Sequence, residues 1–256
     1  MGTKKRLDVL LVERGLAESR AQAQSLVMAG LVHGYAKAGT QVEASAPLSV
    51  ERPPPFVSRG GQKLAHALDA LRIDVRGKAC LDIGASTGGF TDCLLQRGAA
   101  RVIALDVGYG QLHSRLRSDS RVTVLERVNV RVVGELPFAP ELLTCDVSFI
   151  SVRKALLPAL RLAAPGWQAL VLVKPQFEAG RAEVGRGGVV RDPSVHRDVL
   201  RAVAEAALGW GAATVAVVDS GLPGPKGNRE FFLHLVAEGS PELPSELDRW
   251  IDVAVS

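Results

Sequence analysis

The chain has 256 residues, of which 47% are hydrophobic and 23% are charged, and its formal net charge at pH 7 is +4. This composition excludes a disordered or collagen-like chain, and the length is sufficient for one full α/β domain with a small extra module. The mild excess of positive charge permits a polyanionic partner but does not require one.

The three cysteines, Cys80, Cys93 and Cys145, lie in apolar segments and lack the paired spacing of a zinc site. We therefore expect reduced thiols inside the core and no bound metal. The apolar stretch near the N-terminus is short and is interrupted by charges, and no segment approaches the ~18–20 uncharged residues of a membrane span. These features predict a cytoplasmic protein with no signal peptide and no membrane partner.

The first predicted elements form a small α+β module at residues 1–51. Apolar residues with helical spacing predict a helix that ends near Gly15, and Ser19 is suited to cap a second helix that ends near Gly30. Short strands are expected at 31–32, 41–42 and 48–50. Three consecutive prolines then favour an extended connector, so residues 52–58 are predicted to be a linker.

Predicted strands and helices alternate through residues 59–256, which is typical of a mostly parallel sheet with helices on both faces, a Rossmann-like α/β fold. Helices are expected at 59–71, 90–97, 153–162 and 193–208. Strands are expected at 79–83, 101–106, 122–125, 142–147, 169–173, 214–218 and 231–236. The turn-rich segment between the last two strands predicts an antiparallel pair at one edge of the sheet.

A glycine-rich turn follows the first strand of this domain, in the segment CLDIGASTGGF at residues 80–90. A strand, a turn and a helix in this order bind nucleotide-derived cofactors at the head of a parallel sheet. The glycines depart from the G-x-G-x-x-G spacing of dinucleotide sites. In addition, Asp82 before the turn would repel a pyrophosphate but suits the amino group of a methionine-like tail. The pattern therefore predicts S-adenosylmethionine rather than NAD.

Candidate cofactor residues lie at the carboxyl ends of the strands, where ligands bind in such sheets. Asp106 is placed to accept both ribose hydroxyls, Asn129 can offer an amide to the adenine, and Asp146 is expected to face both cofactor and substrate. The full set predicted to bind the cofactor is Asp82, Gly84, Ser86, Thr87, Gly88, Gly89, Phe90, Asp106, Asn129 and Asp146.

The candidate catalytic residues include a lysine, Lys174, which follows a hydrophobic strand at the same edge of the sheet. Methyl transfer from a sulfonium requires that the acceptor be placed in line and made nucleophilic, and a ribose hydroxyl is a poor nucleophile. Asp146, one strand away, could orient the lysine amine. Glu230 at the start of the last strand and Lys63 on the first helix of the domain complete a Lys, Asp, Lys, Glu set.

The N-terminal module carries the pattern R-L-D-x-x-L-x-x-x-G-x-x-x-S-R-x-x-A-x-x-L-x-x-x-G-x-V, which resembles the S4 RNA-binding domain over residues 4–50. The resemblance implies that the second helix and its flanking turn lie against RNA backbone, with Lys37 as a further contact. Phosphate contacts of this kind position a protein without reading sequence. For residues 4–6, an ordinary charged terminus is an equally good interpretation. The candidate RNA-binding residues are Lys4, Lys5, Arg6, Arg20 and Arg59.

Eight motifs resemble, in order, those of the TlyA family: SRGGQKL, LDIGASTGGFTD, LDVGYGQL, ERVNVR, CDVSFIS, VKPQFE, GRGGVVRD and GNREFF. Members of that family join an S4 domain to an FtsJ-like methyltransferase domain and modify ribosomal RNA, of the small or large subunit, at the 2′-hydroxyl of cytidine. The resemblance implies that Lys63, Asp146, Lys174 and Glu230 surround the acceptor ribose. Lys174 would then be the base or the group that orients the hydroxyl, and Asp146 would orient Lys174.

Two other functions fit parts of the sequence. A base methyltransferase of the same fold would be expected to carry N/D-P-P-Y/F or a catalytic cysteine after the fourth strand, where this chain has D-V-S-F at 146–149. The other alternative is a ribosome-associated RNA-binding protein, or a haemolysin-like membrane-active protein, with a vestigial cofactor site. The acidic strand ends and Lys174 favour an enzyme.

Overall fold

The computed structural model describes residues 3–51, 54–237 and 242–256. The chain divides into two compact units, residues 1–54 and 55–256. Part of the predicted linker, residues 52–53, lies outside the described residues, so the domain limits and the linker at 52–58 remain predictions.

The N-terminal unit packs two helices beside a two-stranded sheet. Its elements are β1 (Lys4–Arg6), α1 (Leu7–Glu13), α2 (Arg20–Met28) and β2 (Gln41–Glu43). The strands are antiparallel, with Lys5 opposite Val42. The helix cap predicted at Ser19 is present, because the Ser19 hydroxyl accepts a hydrogen bond from the amide of Gln22 at 3.2 Å, at the start of α2.

This unit has its own core of buried apolar side chains, drawn mainly from one face of each helix: Leu7, Leu10, Leu11, Ala23, Leu26 and Val27. The strand β1 was not predicted, since three charged residues carry no alternating apolar signal, and pairing with β2 defines it. Of the strands expected at 31–32 and 48–50, only an isolated bridge between Val32 and Val50 forms.

The second unit is built on a seven-stranded sheet. Its strands are β3 (Ala79–Ile83), β4 (Arg101–Asp106), β5 (Val122–Glu126), β6 (Leu142–Cys145), β7 (Gln168–Val173), β8 (Ala212–Asp219) and β9 (Phe231–Ala237). Its helices are α3 (Arg59–Leu71), α4 (Gly89–Gln96), α5 (Ser114–Arg117), α6 (Val152–Ala155), α7 (Leu157–Leu160), α8 (Pro175–Glu178), α9 (Pro193–Leu208) and α10 (Leu247–Val255).

The strand order is β5-β4-β3-β6-β7-β9-β8, and β3 to β7 run parallel. The last strand, β9, is inserted antiparallel between β7 and β8. The mostly parallel sheet and the antiparallel edge pair agree with the prediction. After β5 the chain crosses to the other side of β3, so β3 and β6 flank the point where the strand order reverses. Ligands bind at such points in open α/β sheets.

Buried apolar clusters cover both faces of this sheet, so its central strands are hidden from water. One predicted helix differs from the structure: residues 153–162 form two short helices, α6 and α7, instead of one. Pro158 stands at the first turn of α7, where it has no amide hydrogen to bond the carbonyl four residues earlier.

Candidate active site

The carboxyl ends of the parallel strands surround two adjoining cavities of about 440 Å³ each. Gly84, Ser86 and Asp146 line both of them, so the two cavities adjoin at the reversal point of the strand order, and together they are called the trough below. The first cavity is also lined by Arg59, Lys63, Thr87, Gly89, Phe90, Lys174 and Glu230. The second is also lined by Asp106, Gln111, Asn129, Arg131, Ser148 and Phe149.

Two glycines of the turn have backbone angles that residues with a side chain rarely adopt. Gly84 has a φ of +81°, and a β-carbon there would lie 2.5 Å from the carbonyl oxygen of Asp146. Gly88 has a φ of +96°, and the N-terminus of α4 follows it directly. The turn therefore brings the end of β3 against the end of β6 and leaves the trough open.

Asp82 differs from its expected role. Its carboxylate is fully buried and lines neither cavity. One oxygen accepts hydrogen bonds from the amide and the hydroxyl of Thr91, at 2.9 and 2.7 Å, and the other accepts one from the Thr144 hydroxyl at 3.1 Å. Asp82 thus ties the first turn of α4 to β6 beneath the trough. Burial raises the pKa of this carboxyl to about 7.

Asp106 and Asn129 are polar residues that line the second cavity. The Asp106 carboxylate accepts hydrogen bonds from the amide of Ser86 at 2.8 Å and from the amide of Gly108 at 2.6 Å. Each carboxylate oxygen has a second lone pair that a ribose hydroxyl can use. Asn129 accepts from the amide of Arg131 through Oδ1 at 3.0 Å, so its side-chain amide group is the part suited to an adenine nitrogen.

Lys174 is held at the trough by two partners. Its Nζ lies 2.5 Å from Oδ1 of Asp146 and donates a hydrogen bond to the hydroxyl of Ser148 at 3.0 Å. The lysine side chain is only 11% exposed. Asp146 was expected to orient this amine; Ser148 was not, because a serine in a loop gives no sequence signal that distinguishes it from a turn residue.

A second ion pair, Lys63 with Glu230, borders the first cavity. Nζ of Lys63 lies 2.5 Å from Oε2 of Glu230, and the glutamate is completely buried. Among the described residues, Oε1 of Glu230 is one of few buried side-chain oxygens without a hydrogen-bond donor. Gly224 covers this carboxylate, and a side chain at that position would collide with it. The four predicted catalytic residues therefore form two ion pairs on one cavity.

The predicted RNA-contacting residues have different surroundings. Lys4 is exposed. Nζ of Lys5 lies 2.7 Å from a carboxylate oxygen of Glu13, and both Arg6 and Arg20 bind Asp8. In the second unit, Arg59 lines the first cavity and donates a hydrogen bond to the carbonyl of Pro223 at 2.7 Å.

Cys145 has no access to a ligand. It is fully buried in the core next to Asp146, and burial raises the pKa of its thiol to about 12. A thiol in that state is not a nucleophile, which disfavours a cysteine-dependent base methyltransferase. Across the described ranges, no group of three or more metal-ligating side chains occurs, and no helix is long and apolar enough to cross a membrane.

Comparison with known proteins places the two units in known families. Residues 56–237 match the FtsJ-like methyltransferase model, and residues 5–33 match the S4 domain model. The 16S/23S rRNA (cytidine-2′-O)-methyltransferase TlyA of Mycobacterium tuberculosis is 47% identical, over 92% of this chain and 91% of that protein. Hemolysin A of Brachyspira hyodysenteriae is 38% identical, over 90% of this chain and 99% of that protein.

Among solved structures, a Streptococcus thermophilus protein that bears a hemolysin name is 40% identical, with a TM-score of 0.75, over 99% of this chain and 96% of that chain. The fold and the site thus define an FtsJ-like methyltransferase domain preceded by an S4 domain. At this level of identity over most of its length, the chain belongs to the TlyA family.

The burial of Asp82 predicts a pH-dependent effect of the substitution Asp82→Asn. The folded-state pKa of about 7 lies above the unfolded value of about 3.9. The stability that this carboxyl contributes is therefore complete below pH ~4 and is lost as the pH rises through 7. Asparagine does not titrate, so the melting temperature of the variant should rise relative to that of the unsubstituted protein between pH 5 and pH 8.

Thermal unfolding at both pH values measures this difference. Asp74→Asn is the matched control, because Arg76 lowers the pKa of the Asp74 carboxyl to about 2 and that group stays ionised throughout the range. A melting-temperature difference for Asp82→Asn that is equal at pH 5 and pH 8 would contradict a carboxyl that titrates near neutrality.

The pair Lys63 and Glu230 predicts non-additive losses of stability. Lys63→Met leaves Glu230 buried without its cation, which costs about 3–5 kcal/mol of the free energy of unfolding. Adding Glu230→Gln removes the uncompensated charge and should recover most of that loss. Urea unfolding of the single and double variants gives the free energies. The pairing has no energetic role if the double variant is as unstable as Lys63→Met.

Proposed function

We propose that this protein transfers the methyl group of S-adenosylmethionine to the 2′-hydroxyl of a cytidine in ribosomal RNA, in the cytoplasm. The observation that carries the proposal is the arrangement of two lysine–carboxylate pairs on one cavity. Lys174 with Asp146 and Lys63 with Glu230 both line it, and that cavity adjoins the one that Asp106 and Asn129 line. Reactive groups and cofactor groups then meet at a single edge of the sheet.

The residues present fit S-adenosylmethionine. Asp106 and Asn129 would hold the adenosine in the second cavity, and the turn from Gly84 to Gly89 would let the backbone approach the methionine part. When bound, this cofactor supplies a methyl group already activated on a positively charged sulfur. The protein therefore has to place the acceptor and manage its proton.

Lys174 and Asp146 would perform that task. The Lys174 amine, fixed between Asp146 and Ser148, would contact the ribose hydroxyl either as the group that orients it or, once it has lost its own proton, as the base. Lys63 and Glu230 would complete the wall around the ribose. The negative charge that develops on the acceptor oxygen is stabilised by the nearby amines, and because these are already held in place, little reorganisation is needed.

The site also has a surface suited to a nucleobase. Phe149 is 91% exposed and has a left-handed backbone φ of +65°. The centre of its ring lies 5.2 Å from the centre of the Phe177 ring. Both phenylalanines border a further cavity of about 330 Å³ that Lys174 lines as well. Unstacked bases bind on exposed aromatic rings of this kind, so a nucleoside presented to Lys174 would have a partner for its base.

The names of the relatives support the same acceptor. The Mycobacterium tuberculosis relative is named for cytidine-2′-O methylation of 16S and 23S ribosomal RNA, and a Campylobacter jejuni relative, 37% identical over 71% of each chain, for methylation of 23S. The S4 domain would bring the protein to structured RNA. Two complete lysine–carboxylate pairs favour an active enzyme over an RNA-binding protein with a vestigial cofactor site.

Mass-spectrometric mapping of 2′-O-methylcytidine tests this function. Ribosomal subunits that lack the modification are incubated with the full chain and S-adenosylmethionine, and their RNA is digested and compared with a sample that received no protein. New 2′-O-methylcytidine at one position in either RNA is the expected result. Methylation that appears only on a base would overturn the proposal, as would none on either subunit.

Lys174→Ala should abolish methyl transfer while the affinity for S-adenosylmethionine stays within about twofold, because the lysine contacts the acceptor rather than the adenosine. Incorporation of tritiated methyl groups measures transfer, and titration calorimetry measures cofactor binding. Lys78→Ala is the control, since Lys78 directly precedes β3 and so lies at the opposite end of that strand from the site. Normal methylation by Lys174→Ala would remove this lysine from the mechanism.

A further inference from the structure

The carboxylate of Asp8 is the centre of a hydrogen-bond cluster in the N-terminal unit. It is fully buried, although it lies in the first turn of α1. Oδ1 accepts a hydrogen bond from Nε of Arg6 at 3.0 Å. Oδ2 accepts three: from Nη2 of Arg6 at 3.0 Å, from Nη2 of Arg20 at 3.1 Å and from the side-chain amide of Gln24 at 3.1 Å. One buried anion thus joins β1, α1 and α2.

The two arginines are fixed by this anion but remain accessible. Their side chains are 46% and 57% exposed, whereas that of Asp8 is not exposed at all. Each guanidinium group carries five N–H donors, and the bonds to Asp8 use two of those of Arg6 and one of those of Arg20. The remaining donors are available to an anion. The guanidinium groups also hold the pKa of the Asp8 carboxyl far below its usual range.

The pair Lys5 and Glu13 in the same unit provides a contrast. Its distance of 2.7 Å is shorter, but both side chains are substantially exposed, at 39% and 44%. An exposed pair of flexible chains holds neither group in a single geometry and contributes little. Glu13 therefore offsets the charge of Lys5 without fixing its position, while Asp8 fixes the position of two cations.

We infer that Asp8 is a positioning residue for RNA binding: it holds Arg6 and Arg20 as a rigid pair that binds the phosphate backbone of the RNA. The inference rests on the RNA-binding part of the proposed function. Guanidinium groups held in place lose little side-chain freedom when they bind a phosphate, so more of the interaction appears as affinity.

A purely electrostatic interpretation predicts the opposite effect for the substitution of Asp8. Removing a carboxylate from beside two arginines raises the positive charge of the surface by one unit, and more positive surfaces bind RNA more tightly. Loss of positioning weakens RNA binding instead. The sign of the change therefore separates the two interpretations.

Asp8→Asn in the full chain is the first test, with Glu13→Gln as the matched control that makes the same change of charge at the exposed pair. Binding to an in vitro transcript of ribosomal RNA is measured by fluorescence anisotropy at several salt concentrations. We expect Asp8→Asn to weaken binding about tenfold, from the lost preorganisation of two side chains. Glu13→Gln should leave the affinity unchanged or raise it. Binding by Asp8→Asn that is as tight as that of the unsubstituted protein, or tighter, overturns the inference.

A double-mutant cycle separates positioning from a general structural role. In a protein with Arg6→Gln and Arg20→Gln, the further change Asp8→Asn should not weaken RNA binding, because the two side chains that Asp8 positions are gone. An equal loss in both backgrounds would mean that Asp8 only stabilises the unit and would overturn the inference. If the arginine changes alone leave RNA affinity unaltered, the RNA-binding role proposed for these residues fails, whatever the effect of Asp8.

Arg20→Lys provides a variant that keeps the charge and does not depend on how Asp8→Asn folds. Lysine lacks the planar fork of arginine and would not be held by Asp8 in the same geometry. Positioning predicts a severalfold loss of RNA affinity for Arg20→Lys with an unchanged dependence on salt. An affinity equal to that of the unsubstituted protein would show that charge alone is sufficient, against the inference.

Discussion

The close approach of two parallel strand ends organises the methyltransferase unit. Gly84 after β3 lies against the backbone carbonyl of Asp146 after β6, at a distance that leaves no space for a side chain. Because both strands end there, the turn proposed to hold the cofactor and the Asp146–Lys174 pair face the same trough. A side chain at position 84 would push the strand ends apart and separate the two halves of the site.

Three buried carboxylates in this protein show how their partners determine the properties of an acid. Asp82 is satisfied by the uncharged donors of Thr91 and Thr144, which do not offset the cost of burying a charge, so its pKa is raised to about 7. Asp8 is also inaccessible to solvent, but it lies beneath the side chains of Arg6 and Arg20 in the small N-terminal unit, and its hydrogen bonds to these guanidinium groups lower its pKa. Glu230 is paired with Lys63 at the proposed acceptor site. The sequence marks all three only as acidic residues.

Much of the fold follows from local sequence patterns. The bounds predicted for β3, β4, α3 and α9 agree with the structure, because apolar runs or amphipathic spacing coincide there with clear start and stop residues. The prediction was wrong for two elements whose formation or length depends on a tertiary partner or on a single proline. Charged β1 becomes a strand only through β2, and the helix expected at 153–162 is divided at Pro158.

The sequence by itself determined the α/β class and the glycine turn, since both depend on residue types at short or regular spacing. Its ordered motifs also carried the resemblance to the family, and that resemblance led to the four proposed catalytic residues. Only the tertiary structure decided which groups meet. In the folded chain, Lys63 pairs with Glu230, and Lys174 donates a hydrogen bond to Ser148. Asp82 lies beneath the trough, and Asp8 is buried between two arginines. The physical reason is that burial and charge pairing depend on residues that are far apart in the chain and close in space. The local spacing of residues along the sequence does not indicate which of them will be in contact.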